Sequence, residues 1–397
     1  MTSECNRSID LGSYQIITDP EVLEALCVDW RKCPTLAVDT EFIRTDTFWP
    51  KVALIQISDG VQTYLVDPLA LSESDLLPLK DVLCSSNGPI VIIHACYEDL
   101  EVFKRMWGTT PHTIFDTQMC AAILGYGLQV GYQRLVAEVL QKEVSKGETR
   151  SNWLQRPLTE SQLDYAALDV AYLTEIYQIF SDVMAEKGRT DWLQEDCQRI
   201  NSQYQVADDP SNYYVKFRNA WRFKPTQLRA LYALSSWREE TAREHDLPRG
   251  FLLKDPVLFK LAEELPESLN QLSGDFEIRK HVLRKDGAKL IEIINSASVD
   301  ESLNPSSIIS PLSKELKPLM VGLKAVARTA AENHDVPAEL LLKKRDLERI
   351  VRIAIQVSSG SDEIDLCAVL GEWRCSLLKE AILDVLNQHQ SLLARFQ

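Results

Sequence analysis

No apolar run in this 397-residue chain approaches the roughly 20 residues that a membrane-spanning helix needs. The nine cysteines are scattered and include no Cys-x-x-Cys pair. That spacing argues against a zinc site or a disulfide framework and reads as free thiols in a reducing compartment. The first residues, Met-Thr-Ser-Glu-Cys-Asn-Arg, lack a basic segment followed by an apolar one, so no signal peptide is expected and the cytoplasm is the expected location. Positive charge is also short: 43 basic against 58 acidic residues leave a net charge of −15. This argues against broad, charge-driven binding to nucleic acid, but leaves room for a local basic track.

What is present is ordinary for globular protein, with 45% hydrophobic and 25% charged residues, and the length suffices for two or three domains. The N-terminal half reads as strands and then helices. "TLAVDTEF" (35–42), "VALIQIS" (52–58), "TYLVDP" (63–68) and "PIVIIHA" (89–95) are apolar, β-branched runs of strand length. From "YEDLEVFKRMW" (97–107) onward the apolar spacing becomes three and four, which suits helices. Thr159 to about Lys187 reads as one helix, with Thr159 and Gln162 at capping-box spacing. This pattern predicts an α/β domain with a mixed sheet. Strand signals stop after about Gln205. "ADDPSN" (207–212) and the Pro/Ser-rich segment 298–318 are polar breaks. "HDLPRGFLLKD" from His245 and "HDVPAELLLKK" from His334 match in register 89 residues apart, which points to a duplicated helical module. The expected domains are 1–206, 212–297 and 312–397.

"LAVDTEF" (36–42) raises the chemical question. Residues two apart on a strand share a face, so Asp39 and Glu41 project together. At ~4 Å and an effective dielectric near 20 their repulsion is on the order of 4 kcal/mol. A bound cation would offset it, provided further acidic ligands exist. Asp99 stands near the start of a helix, and Asp116 precedes another apolar helical face. Tyr165 and Asp169, four apart, lie about 40° apart around a helix and face the same way, whereas Asp164 points about 100° from Tyr165. Asp-x-Glu at a strand end is most often a solvated turn, and Asp99 or Asp116 could simply favour a helix N-terminus. The conjunction, in order and each at an element edge, is far more specific. Gln118 and His94 read as structural.

Asp-x-Glu, an Asp in a His-x4-Asp-Leu context, and Tyr-x3-Asp together resemble the DEDD superfamily of 3′→5′ exonucleases. The tyrosine indicates the "y" subgroup; the "h" subgroup has His where this chain has Asp164. "VDTEFIRTDTFWPKVALIQIS", "IIHACYEDLEVF", "FDTQMCAAILG" and "SNWLQRPLTESQLDYAALDVAYL" further resemble the bacterial ribonuclease D family. So does the layout of one catalytic domain followed by two HRDC-type helical domains. The resemblance implies an α/β, ribonuclease H-like mixed-sheet exonuclease domain followed by two all-α modules.

It also implies the chemistry. Catalytic residues would be Asp39, Glu41, Asp99, Tyr165 and Asp169, the four carboxylates holding two divalent ions, Mg²⁺ or Mn²⁺. One ion would prepare the attacking water and the other stabilise the leaving 3′ oxygen. Tyr165 would chiefly orient that water. The reaction would release 5′-mononucleotides from the 3′ end of RNA, with tRNA precursors and other small structured RNAs as substrates and the protein a monomer. Phe42, Arg44 and Trp49, near Phe48 and Lys51, could stack on bases or meet phosphates. Lys146, Arg150 and Trp153, with Lys142 and Arg156, could guide the RNA backbone, although any one of these residues could equally be core or solvated loop. In the first helical module Arg218, Arg222, Lys224, Arg229 and "EIRKHVLRKD" (277–286) supply positive charge. The competing readings are a related DNA exonuclease, a non-catalytic RNA-binding scaffold on a nuclease fold, and a plain interaction protein, which would leave the carboxylates unexplained.

Overall fold

The computed structural model describes residues 13–144, 147, 151–206, 208–357 and 364–396. These divide into two compact units. One is drawn from 1–43, 52–206 and 312–397, the other from 44–51 and 207–311.

The first unit is built on six strands: β1 (Tyr14–Ile17), β2 (Thr35–Ile43), β3 (Lys51–Ser58), β4 (Thr63–Val66), β5 (Ile90–Ile93) and β6 (Ile114–Asp116). Their order is β1-β4-β3-β2-β5-β6. β1 runs parallel to β4, and β2, β5 and β6 run parallel to one another, while β3 and β4 are antiparallel. The sheet is therefore mixed, as expected. β1 and β6 are not legible in the sequence: they are short and sit at the two edges.

Among the described residues eight helices belong to this α/β part: α1 (Pro20–Trp30), α2 (Leu77–Cys84), α3 (Tyr97–Trp107), α4 (Thr117–Ile123), α5 (Tyr132–Leu140), α6 (Glu160–Ala171), α7 (Leu173–Glu186) and α8 (Thr190–Gln205). Helices on the sheet explain why Leu36, Ala37 and Val38 are all buried: consecutive strand residues point to opposite faces, and both faces are covered. α3 stops at Gly108, whose φ of 71° is the left-handed cap conformation that glycine adopts without a Cβ penalty.

The stretch expected as one long helix is two. α6 begins with the predicted capping box of Thr159 and Gln162, then ends at Tyr172, where α7 starts. The cause is a side chain inserted into the helical ladder. In an unbroken helix the Tyr172 N–H would bond to Leu168 O. Instead it donates to the Tyr132 hydroxyl at 3.2 Å, which donates in turn to Leu168 O at 2.7 Å.

The second unit begins, after two 3₁₀ helices (Pro210–Lys216 and Arg218–Arg222), with α9 (Pro225–Glu244), and continues through α10 (Arg249–Leu252), α11 (Asp255–Glu264), α12 (Leu269–Asp275) and α13 (Lys280–Val299). Its core gathers Leu231, Leu234, Leu258, Leu261 and Leu290. The segment 44–51 is part of this unit: Asp246 Oδ1 accepts the amides of Phe48 and Trp49, each at 3.0 Å. The Arg249 guanidinium lies 4.5 Å from the Phe48 ring centre. Arg229, expected to offer charge, caps the end of α13 through Ala297 O and Ser298 O.

The remaining helices, α14 (Lys317–His334), α15 (Ala338–Leu341), α16 (Lys344–Val357), α17 (Cys367–Leu370), α18 (Glu372–Gln388) and α19 (Gln390–Leu393), join the first unit. One hydrophobic core runs from Leu36 and Val38 through Phe180 and Leu193 to Leu341, Trp373 and Leu378. Arg374 on α18 grips Asp196 on α8 in a buried fork, Nη1 to Oδ1 at 2.6 Å and Nη2 to Oδ2 at 2.7 Å. Trp373 stacks on Trp192 with centroids 4.3 Å apart. Cys367 and Cys375 form a disulfide, which corrects the reading of every cysteine as a free thiol. Asp246 and Asp335, which match in register in the two similar sequence segments, both follow a long helix with φ near 50°.

Candidate active site

β2 pairs with β5 only through Thr35, Leu36 and Ala37. Its last residues run on past that pairing, and there Asp39 and Glu41 are presented. Asp169 comes from the last turn of α6. The three carboxylates bring one oxygen each to within 4.8 Å of one another. Tyr165, one turn earlier on α6, brings its hydroxyl close enough to Asp169 for each group to shift the other's titration. The spacing of four thus does what the helix geometry predicts. Gly147 lies against the Tyr165 ring so closely that a β-carbon there would overlap it.

Asp99 is not part of the three-carboxylate cluster, but its charge is felt at Glu41, and that of Asp39 is felt at Asp99. It is buried near the start of α3 and accepts a 2.6 Å hydrogen bond from Thr40 Oγ1. Thr40, between the two acidic residues of β2, is a site residue that the motif conceals. Its only signal in the sequence is a hydroxyl in the middle of Asp-x-Glu. Asp116, fully buried, caps α4 through the amides of Gln118 and Met119 (2.8 and 3.0 Å). It also accepts from the amides of Ala95 and Cys96 (3.3 and 2.9 Å), bracing the corner from which α3 and Asp99 start. His94 and Gln118 are structural: both reach Val130 O, and His94 also pairs with Thr117 Oγ1.

The electrostatics are those of a site without enough positive charge. Burial pushes the Asp39 carboxyl up to about 6. Burial, then the charges of Asp39, Asp169 and Asp99, push Glu41 to about 9. Burial and Asp39 push Asp169 to about 8, against the lowering effect of the Tyr165 hydroxyl. Asp99 is raised well above its ordinary value, chiefly by burial and then by Asp39. Clustered, desolvated, oxygen-only donors fit a hard divalent cation, which would restore the ionised state of all of them. Burial, Asp169 and Glu41 raise the Tyr165 phenol, so it keeps its proton at neutral pH.

The expected RNA-facing residues fare unevenly. Trp153 is corrected: it is 2% exposed and packs with Ala53, Leu54, Leu65 and Ala166, its ring centre 6.1 Å from that of Tyr165. It holds the Tyr165 helix and offers no face to a base. Arg156 is likewise consumed internally, forked onto Asp67 (2.6 and 2.8 Å) and donating to Ala53 O and Trp153 O. Phe42 is half-buried on β2. Arg44 is exposed, with Nε donating to Phe48 O. Trp49 is half-buried edge-on to Phe48, with the Arg243 guanidinium 5.7 Å from its ring. Lys146 and Arg150 lie outside the described residues.

A mixed sheet carrying convergent carboxylates on β2 and α6, with a phenol beside them, matches known proteins. The 3'-5' exonuclease family model matches residues 14–185 and the HRDC domain model residues 227–294. Ribonuclease D of Pseudomonas paraeruginosa is 38% identical over 376 residues, 94% of this chain and 97% of that protein. Ribonuclease D of a Shewanella species is 33% identical over 380 residues, 95% of each. The crystal structure of Escherichia coli RNase D, described as an exoribonuclease involved in structured RNA processing, superposes with a TM-score of 0.86 at 31% identity, covering 95% of this chain and 99% of that one. Fold and site therefore define a 3′→5′ exonuclease with an HRDC domain. The chain belongs to the ribonuclease D family and is a 3′→5′ exoribonuclease, a phosphodiester hydrolase.

Proposed function

We propose that the chain trims the 3′ ends of tRNA precursors and other small structured RNAs, releasing 5′-mononucleotides one at a time, as a cytoplasmic monomer. The observation that carries this reading is the meeting of Asp39, Glu41 and Asp169 within 4.8 Å, with Tyr165 one helical turn from Asp169. Asp39, Glu41 and Asp169, helped by Asp99, would hold two divalent ions, Mg²⁺ or Mn²⁺, whose chemistry there is to activate water and stabilise the leaving oxygen. Among the described residues no helix is long and apolar enough to cross a membrane.

The residues' own parts follow from their placement. The Asp169 carboxylate beside the Tyr165 hydroxyl favours a phenol that points its proton at Asp169. That would leave the phenol oxygen as an acceptor that orients the attacking water, and with its pKa raised the phenol stays protonated at neutral pH and does not serve as the base. Thr40 keeps Asp99 facing the site rather than turned into the core. Asp116 fixes the β5–α3 corner and so the depth of Asp99. The domain limits 1–206, 212–297 and 312–397, the last a second HRDC-type module, belong to the same reading; the equivalent Asp246 and Asp335 corners support it.

The test is incubation of a 3′-extended tRNA precursor with protein and Mg²⁺ or Mn²⁺, following product length over time beside a chelator control and a matched DNA substrate. A one-nucleotide ladder from the 3′ end, lost with chelator and with Asp39→Asn, is expected. Near-normal activity of Asp39→Asn would falsify the assignment.

A further inference from the structure

Side chains of α8 receive the turn where α17 gives way to α18. Glu195 accepts the amides of Glu372 and Trp373 at 3.0 Å each, one on each carboxylate oxygen. Arg199 Nη1 donates to Leu370 O at 3.2 Å. Trp192 stacks on Trp373, and Asp196 takes the fork of Arg374 and, at 3.4 Å, the Trp373 indole N–H. Among these residues Gly371 holds φ 85° and ψ 165°, a conformation essentially reserved for glycine, and a β-carbon there would overlap the Glu195 carboxylate.

All of these contacts come from residues 370–374. That stretch is enclosed by the Cys367–Cys375 disulfide, which joins residues eight apart. The disulfide therefore closes a ring around the element that joins α14–α19 to α8, and its sulfurs make none of those contacts. Hydrogen bonds and ring stacking hold the turn whether or not the sulfurs are joined, so opening the S–S bond loosens the turn without unfolding it. Cys367 is half-buried, within reach of solvent, whereas Cys375 is 2% exposed. Among the described residues the other six cysteines are free thiols, and burial raises the pKa of each. They carry little thiolate at neutral pH and are poor partners for exchange.

We propose that Cys367 and Cys375 form a reversible thiol–disulfide modification site, closed by a small-molecule disulfide and opened by a small-molecule thiol, which sets how firmly α14–α19 dock on α8. Closure takes two steps. Cys367, as thiolate, attacks one sulfur of the oxidant, forming a mixed disulfide and expelling one thiol. Cys375 then loses its proton and attacks Cys367 Sγ, expelling the second thiol. Two protein thiols are oxidised to one disulfide while the oxidant is reduced to two thiols, and excess thiol reverses both steps. A closed ring restricts the conformations open to the detached turn, so the closed form keeps the amides of Glu372 and Trp373 on Glu195 for more of the time.

The experiment uses the full chain, equilibrated across a series of glutathione to glutathione disulfide ratios, acid-quenched and alkylated with iodoacetamide in denaturant. Peptide mass spectrometry should show Cys367 and Cys375 passing together from two alkylated thiols to a linked, unalkylated pair as the disulfide fraction rises. Cys27, Cys84, Cys96, Cys120 and Cys197 should be alkylated throughout. Hydrogen exchange at the amides of Glu372 and Trp373 should be about tenfold or more faster in the reducing buffer. Cys367→Ser, at a half-buried position, should show the faster exchange in both buffers. A pair that stays joined, or stays open, across the whole series overturns the site, as does glutathione left on Cys367 as the end product. Equal exchange of the wild-type protein in the two buffers, or slow exchange in Cys367→Ser, overturns the control of docking.

Discussion

The phenolic oxygen of Tyr132 occupies the place where Tyr172 N–H would meet Leu168 O, and so divides α6 from α7. Asp169 is the residue next to Leu168, in the turn that this bridge terminates. Removing the hydroxyl in Tyr132→Phe lets the helix close its own bond and turns the Asp169 carboxylate. Mn²⁺ affinity by calorimetry without RNA should fall about tenfold, the scale of an outer-shell loss, and kcat with it. Unchanged Mn²⁺ affinity would show that Tyr132 merely packs.

Tyr165→Phe keeps the ring against Trp153 but loses the hydroxyl beside Asp169. Single-turnover hydrolysis should slow roughly a hundredfold, within the range of a lost proton-handling or orienting group. RNA affinity and thermal stability should hold. A rate within twofold of wild type would remove the hydroxyl from the mechanism.

Metal removal should make stability depend on pH. Folding raises the carboxyls of Asp39, Glu41 and Asp169 to about 6, about 9 and about 8, from ordinary values of 3.8, 4.5 and 3.8. Below about pH 4 both states are protonated and nothing is lost. Between pH 4 and 9 the unfolded chain ionises freely while the folded one resists, so stability declines as pH rises. In EDTA the Tm should therefore fall from pH 5 to pH 9, less steeply in Glu41→Gln, and Mn²⁺ should abolish the fall. Parallel curves for the two proteins in EDTA would contradict the pKa ordering.

Arg374→Ala takes the forked partner from the buried Asp196 carboxylate on α8, leaving it the longer contacts from Arg199 at 3.3 Å and the Trp373 indole at 3.4 Å. Removing one partner of a buried, forked pair typically costs about 3–5 kcal/mol. Urea unfolding should show that loss, and a change below about 1 kcal/mol would mean that water reaches Asp196.

Asp246→Ala should free the amides of Phe48 and Trp49, whereas Asp246→Asn keeps an accepting oxygen at the same φ. Hydrogen exchange should accelerate at those two amides in the alanine variant alone. Equal exchange in both variants would show that the segment is held by the ring contacts of Phe48.

The site is legible because its ligands obey local periods: two along β2, four along α6. The strands of the sheet interior are legible for the same reason, since burial on both faces selects continuous apolar runs. β1 and β6 are too short to show a period. The helix break at Tyr172 is hidden because its cause lies 40 residues earlier, in a tyrosine whose hydroxyl the local pattern of α6 and α7 cannot reveal. Trp153 and Arg156 mislead through their setting: a basic loop beside a proposed active site looks like a binding surface until Asp67, from β4's end, takes the guanidinium. The membership of α14–α19 in the catalytic unit is equally invisible, because it depends on Asp196, Trp192 and Arg374 meeting across about 180 residues of chain.

That shared core has a consequence for biosynthesis. A ribosome releases the α/β segment first, the HRDC segment next and α14–α19 last. The face of α8 that receives Trp373 and Arg374 therefore stays bare until the final stretch emerges, while the intervening module can already fold on itself. A transcript truncated near codon 311 would yield not a smaller nuclease but a chain with an unfinished interior, and quality-control proteases would read it as such.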